Sequence, residues 1–576
     1  MFVPASEYRD RGMAAARSLQ SASWFREERP MGSLLAERRS GPDQRGASAL
    51  RARRRLQVLF ALVCLSIAPV EPGPRFASLG AVATASTDNN ISIPDSLISH
   101  LGIRYAEPPV GNLRFRAPRA LPPGEPVVTK PAACPQLSGV NAALTSEDCL
   151  QLNIYAARKP IDGRRPVIVI FPGGGFNEGA IQMPIYDGKL LAQRTGTVVV
   201  TVNYRLGVLG FLSHPALDAD DPAGRSGNYG FLDQQAALRW VQRHIMTFGG
   251  SPHNVTILGQ SAGGFSVLNH LVAPGSAGLF HRAIIISTPP AAAGPAVDVS
   301  GAQPQGAAVV RAVHCDQALD VASCLRATPI AAFLKLASLL PTSIFVPMPV
   351  RDGVDIPVQP MTAIREGRIN HAPVMVGTAR RDLDLLVAAL QLDRSVYPAE
   401  LRSWFKGFAP EVLHRYPVTD AADAERQFAN AMTDGVMFCQ NEWLRQALAK
   451  RGTVYGFEFT QSPSRQAWSL APGTRLHDSD PHHGSELPYI FGVDKDGRPL
   501  MGEDEKLSRI VMGYVAAFAR SGTPHPRGDR RWKHYGSGRS LMMLQRRPEM
   551  SGSARLIHHC DFWDRSPIYF PSGTKR

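Results

Sequence analysis

Gly259-Gln260-Ser261-Ala262-Gly263 has residue types and spacing that could do covalent chemistry. A serine between two glycines is common, so the pentapeptide alone says little. Its setting says more: an apolar run over 254–259 ends at the first glycine, and a helical pattern starts at Ala262. Glycines remove β-carbons from a tight strand-to-helix turn, which lifts the Ser261 hydroxyl above the sheet edge. The helix start behind it offers a backbone N–H and partial positive charge where an oxyanion would develop. The plain alternative is a serine N-cap on an ordinary helix. A second cluster, Phe171-Pro172-Gly173-Gly174-Gly175-Phe176, follows another apolar run. Consecutive glycine amides at a strand end can aim into a crevice. A flexible turn or a phosphate loop are the alternatives, and no Gly-Lys-Ser/Thr follows to support a nucleotide.

The elements that must position these residues alternate between strand and helix. The β-branched runs 166–171 and 197–203 read as strands buried on both faces, and 254–259, 282–287 and 373–377 continue the series. Helices are expected over 186–193, 233–248 and 262–271. In the second, Ala236, Ala237, Trp240, Val241 and Ile245 lie near helical spacing and Gly249-Gly250 ends the pattern. This alternation predicts an α/β fold, a large mostly parallel sheet with helices on both faces.

Composition sets the outer limits. The 576 residues are 44% hydrophobic and 19% charged, enough for a sizeable core and against wholesale disorder. The formal charge of +14 invites a nucleic-acid reading. However, residues 1–70 hold 12 Arg against 6 acidic residues, so the rest carries only about +8 without a dense basic run. No nucleic-acid partner is expected. Arg51, Arg53, Arg54 and Arg55 precede an apolar run over 56–68, the pattern of a secretory signal and short of a spanning helix. Residues 1–75 are therefore expected to be an Arg-rich extension plus signal, and 76–576 a single catalytic domain. Translation from Met31, an uncleaved anchor and a lipidated Cys64 are the rival readings of this segment. Cleavage near Ser66-Ile67-Ala68, or at Ala83 or Ala85, fits small-residue sites. Beyond the signal six cysteines remain, an even number that suits an oxidising compartment; six allow 15 connectivities, and no Cys-x-x-Cys occurs.

Stretches from about residue 76 to 563 resemble the type-B carboxylesterases, the α/β-hydrolase family that includes cholinesterases and para-nitrobenzyl esterases. They are Leu101-Gly-Ile-Arg-Tyr-Ala-Glu-Pro-Pro-Val-Gly111, Ser146-Glu-Asp-Cys-Leu-Gln-Leu-Asn-Ile154, Asn203-Tyr-Arg-Leu-Gly-Val-Leu-Gly210, Gly227-Asn-Tyr-Gly-Phe-Leu-Asp-Gln234, 248–264 and Cys560-Asp-Phe-Trp563. The likeness makes 76–85 the first strand, which favours cleavage near 68–72. It implies an α/β-hydrolase fold and a Ser, acid, His triad. Ser261 matches the nucleophile, and His483, in His483-Gly-Ser-Glu-Leu-Pro-Tyr489, matches the base. The acid falls at Asp382, where the family has Glu followed by Gly and this chain has Leu383; Asp384 is the alternative. Gly174, Gly175 and Ala262 are implied as oxyanion donors. Pro172 stands where His is more frequent and Gln260 where Glu is, which removes a negative charge and disfavours cationic substrates. The 134–149 loop holds no aromatic residue for a cation site. Bridges Cys134–Cys149, Cys315–Cys324 and Cys439–Cys560 resemble family pairings. The polar group His477, Asp478, Asp480 and His482 reads as a solvated loop, with a metal site as the alternative.

The expected activity is hydrolysis of a small-molecule ester through an acyl-enzyme, without cofactor or metal. The expected location is secreted or periplasmic, with no stable membrane insertion after cleavage; oligomeric state is left unassigned. The other class is a carboxylesterase-like binding or adhesion domain with weak or no catalysis.

Overall fold

The run 165–171 builds the centre of the sheet because every second side chain feeds a different core. Val167, Val169 and Phe171 pack into one buried cluster, Ile168 and Ile170 into another on the opposite face. Each such side chain contributes roughly 1.5–3 kcal/mol by leaving water. The computed structural model describes residues 97–567, apart from 125–126, 138–139, 141–143, 159–163, 291–295, 340–347, 389–391, 393, 420–422, 463, 465–480, 527–531 and 537. The extension, signal and first strand expected over 1–85, with His477, Asp478 and Asp480, lie outside the described residues.

The strands are β1 (Leu97–Arg104), β2 (Gln151–Ala157), β3 (Arg165–Phe171), β4 (Val198–Val202), β5 (Gly250–Gln260), β6 (Arg282–Ile286), β7 (Val297–Asp298), β8 (Val350–Arg351), β9 (Val374–Ala379), β10 (Val454–Phe459), β11 (Leu541–Leu544) and β12 (Glu549–Ser551). Ten form one sheet in the order β1-β2-β4-β3-β5-β6-β9-β10-β11-β12, and β7 pairs with β8. From β4 to β11 the neighbours run parallel; β1, β2 and β12 join antiparallel. The predicted α/β-hydrolase architecture is borne out. Its parallel centre brings the C-terminal ends of β3, β5, β6, β9 and β10 to one edge, where ligands of such sheets bind.

Local deviations have identifiable causes. The helix expected over 186–193 is a 3-10 turn, Pro184–Tyr186, followed by a helix at Lys189–Thr195. Gly188 separates them because its backbone lies against the sheet: a β-carbon there would sit 2.7 Å from both Tyr155 and Val199. The helix expected over 233–248 begins at Tyr229 and ends in a 3-10 turn, Ile245–Phe248, closed by Gly249 at φ 79°. Asn228 sets the early start, its side chain pairing with the Val350 backbone at 2.7 and 2.8 Å. All three expected disulfides are present.

Candidate active site

Ser261 sits between β5 and the helix Ala262–Val272 with φ 57° and ψ −124°, a strained backbone for a residue with a β-carbon. Close packing enforces the turn. A β-carbon on Gly259 would lie 2.1 Å from the Gly263 carbonyl oxygen, and one on Gly263 would lie 2.0 Å from that of Phe171. The motif glycines are thus required by contact as well as by conformation.

The glycine loop after β3 lies against this turn: a β-carbon on Gly173 would be 3.3 Å from that of Ser261. Two tyrosines hold the loop. The Gly173 N–H donates to Tyr186 Oη at 3.0 Å, and Tyr204 Oη donates to the Pro172 carbonyl at 2.7 Å. Gly174 and Gly175 have φ of 112° and 63°. Among the described residues their N–H groups donate no hydrogen bond within the protein. Ala262 opens its helix, where the first amides also lack an intrahelical acceptor.

Asp382 and His483 meet directly. The imidazole Nδ1 lies 2.6 Å from Asp382 Oδ1, and both side chains are buried. A backbone bond from the His483 N–H to the Asp382 carbonyl, 3.0 Å, draws the two segments together. That close approach makes up for an acid one methylene shorter than glutamate. The other carboxylate oxygen accepts from Ser287 Oγ at 2.6 Å and the Ala379 N–H at 2.8 Å. Asp384 pairs instead with Arg381 at 2.6 Å. Bonding at Nδ1 fixes the tautomer in which Nε2 is the basic nitrogen. Among the described residues His483 Nε2 is buried without a protein partner.

Segment 286–288 joins the two halves. The Ser261 N–H donates to the Ile286 carbonyl at 3.0 Å, and Thr288 Oγ1 donates to the Ser261 carbonyl at 3.1 Å. Between them stands Ser287, the residue on Asp382. Sequence reading missed it; the available signal was a hydroxyl at the very end of an apolar strand run. Glu486 was also missed as more than a motif letter. It is buried, and among the described residues neither carboxylate oxygen has a hydrogen-bond partner. Burial first, and then the charge of Asp382, push its carboxyl up to about 8, so it is protonated at neutral pH. Among the described residues no cluster of His, Cys, Asp and Glu is suited to hold a metal.

Comparison with known proteins agrees in reach. A model described as "Carboxylesterase family" matches residues 78–563. The chain is 33% identical to the cocaine esterase of Homo sapiens over 508 residues, covering 81% of this chain and 86% of that one. It is 34% identical over 464 residues to the fumonisin B1 esterase of Sphingopyxis macrogoltabida, 76% of this chain and 81% of that one. The crystal protein of Dictyostelium discoideum is 30% identical over 509 residues, 82% of this chain and 88% of that one. With a family match across most of its length and esterases among its relatives, the chain belongs to the carboxylesterase family and is a carboxylic ester hydrolase.

Proposed function

We propose that the protein is a serine carboxylesterase working through an acyl-enzyme. The observation that carries this reading is the buried Asp382–His483 bond, 2.6 Å long, at the sheet edge where the strained Ser261 turn also ends. Ser261 Oγ attacks the ester carbonyl while His483 Nε2 takes its proton. Asp382 holds the imidazole and stabilises the imidazolium that forms. The oxyanion accepts from the N–H groups of Gly174, Gly175 and Ala262; losing one such donor typically costs about 100–1,000-fold in turnover. His483 then protonates the leaving alcohol, and water hydrolyses the acyl-enzyme with the same base.

Gln260 in place of a carboxylate beside Ser261 removes a negative charge that would favour a cationic ester, while the relatives' names span several kinds of ester. The reading includes a signal in 1–75, one catalytic domain over 76–576 and a secreted or periplasmic location. The three disulfides fit an oxidising compartment, and among the described residues no helix is long and apolar enough to cross a membrane. The test is labelling by an organophosphate together with hydrolysis of short p-nitrophenyl esters, both expected in the wild type and lost in Ser261→Ala. A folded wild type that neither labels nor hydrolyses would instead favour a carboxylesterase-like binding domain.

A further inference from the structure

A buried ionic chain outside the triad clasps the loop that carries Asp382. At its centre is His558, 3% exposed, with each ring nitrogen on a different carboxylate. Nδ1 lies 2.6 Å from Asp434 Oδ1, and Nε2 lies 2.9 Å from Glu458 Oε1. A neutral imidazole has a single N–H, so two ionised carboxylates at these distances require the imidazolium. Its ring stacks on Phe438 with centroids 3.9 Å apart, and the Arg445 guanidinium also lies over Phe438, 5.2 Å from the centroid. Both carboxylates have further donors. Glu458 accepts from Arg380 Nε at 2.9 Å and Nη2 at 3.1 Å, and Asp434 accepts from Tyr416 Oη at 2.8 Å. Two cations, His558 and Arg380, thus balance two anions.

Both ends of this chain reach the acid loop. Arg380 precedes Asp382 by two residues. Leu383 follows it, and its N–H donates to Thr433 Oγ1 at 3.1 Å. Thr433 is the neighbour of Asp434, and the two open the π-helical turn Thr433–Phe438, a form that recurs at functional sites. The disulfide Cys439–Cys560 ties the residue after that turn to the residue two past His558. Both anchors flank Asp382 in the chain and set where its carboxylate can stand.

We propose that His558 is a positioning residue for ester hydrolysis: joining Asp434 to Glu458, it fixes the two anchors between which Asp382 meets His483. The inference rests on the serine-esterase reading above. Charge energetics agree. Burial opposes the His558 cation, but the two carboxylates, Asp434 foremost, lift it to about 9. Burial likewise opposes Glu458, yet His558 and then Arg380 hold it at about 2. Removing the one central cation leaves buried carboxylates short of a partner, and such a set rearranges or takes up protons and water.

The experiment is His558→Gln in the full chain, with p-nitrophenyl ester kinetics and active sites counted by organophosphate titration. Expected is a loss of about ten- to a hundredfold in kcat per titrated site, the scale of a displacement of about 1 Å at a reacting group. KM stays within about twofold, because uniform binding is untouched. The acid limb of kcat against pH, which reports His483 in the complex, shifts as its carboxylate partner moves. A purely structural role would lower the number of titratable sites and leave both kcat per site and the pH limb unchanged; that result overturns the proposal. Should His558→Gln yield no folded protein, Arg380→Gln carries the test, since that side chain is about a third exposed. It is expected to lower kcat per site in the same way, and an unchanged kcat overturns the proposal. Failure of the esterase reading appears earlier and separately, as a wild type that neither titrates nor hydrolyses.

Discussion

Around Ser261 the geometry is held by main chain packed too closely for an added β-carbon, whereas around Asp382 it is held by side chains from distant parts of the sequence. On the nucleophile side Gly259 and Gly263 would each put a β-carbon within 2.1 Å of a backbone oxygen. On the acid side the side-chain partners of Asp382 lie 95 and 101 positions away, at Ser287 and His483, beside one local bond from the Ala379 N–H. The first construction admits one backbone path and punishes any extra atom. The second is modular: a bond can be removed while the fold stands, so each contact can be weighed by its own loss.

The largest effect that would sharpen this contrast separates the two carboxylates. Asp382→Asn is expected to keep the fold and lose about 10,000-fold in kcat, because an amide there favours the wrong imidazole tautomer. Asp384→Asn should stay within about threefold in kcat, since its carboxylate pairs with Arg381 and not with the imidazole. Comparable losses in both variants would break the assignment. Next comes a matched pair across the two sides. Gly263→Ala drives a β-carbon into the Phe171 carbonyl. It should lower kcat by about a hundredfold, or abolish soluble protein, through displacement of the turn. Ser287→Ala removes one bond to the Asp382 carboxylate, worth roughly 1.5–3 kcal/mol, but leaves the Ala379 N–H on the same oxygen, so kcat should fall by about tenfold. If alanine is tolerated at 263 and not at 287, the comparison is wrong.

The last test concerns stability and not turnover, as a pH slope. Glu486 rises from an ordinary 4.5 to about 8 in the folded protein. Across that window the native state holds a proton that the unfolded chain has released, so stability falls as pH rises. The loss begins near 4.5 and is complete once pH passes about 8. Glu486→Gln removes this contribution, and urea unfolding at pH 5 and pH 8.5 should show a flatter dependence than the wild type. Equal slopes would mean that Glu486 is ionised in the fold.

Legibility followed the same division. Ser261, the glycine loop and the strands around them were readable because each rests on a local pattern, an apolar run closed by residues that only a tight turn needs. Even there, β5 starts at Gly250 and not at 254, carried backward by pairing of Gly250 with Arg165 on β3. The helix at Tyr229 likewise begins early because of a side-chain bond spanning 122 positions. The choice between Asp382 and Asp384 could not be read locally, since both lie in one short polar loop and only the position of the imidazole separates them. Thr433 and the His558 set left no spacing signal at all, and Ser287 and Glu486 left only a strand-end hydroxyl and a motif letter. Their meaning comes from burial and from contacts spanning between 50 and 124 residues. The resemblance supplied the triad order that local patterns lacked, and it said nothing about what steadies the acid.

The clasp around the acid loop is finished by residues that leave the ribosome after Ser261, Asp382 and His483. A chain still in synthesis past position 483, but short of 558, holds Ser261, Asp382 and His483 and lacks the ion set and the Cys439–Cys560 bond behind the Asp382 loop. The contacts around the acid loop are therefore completed late, by the last two helices and by the Cys439–Cys560 bond.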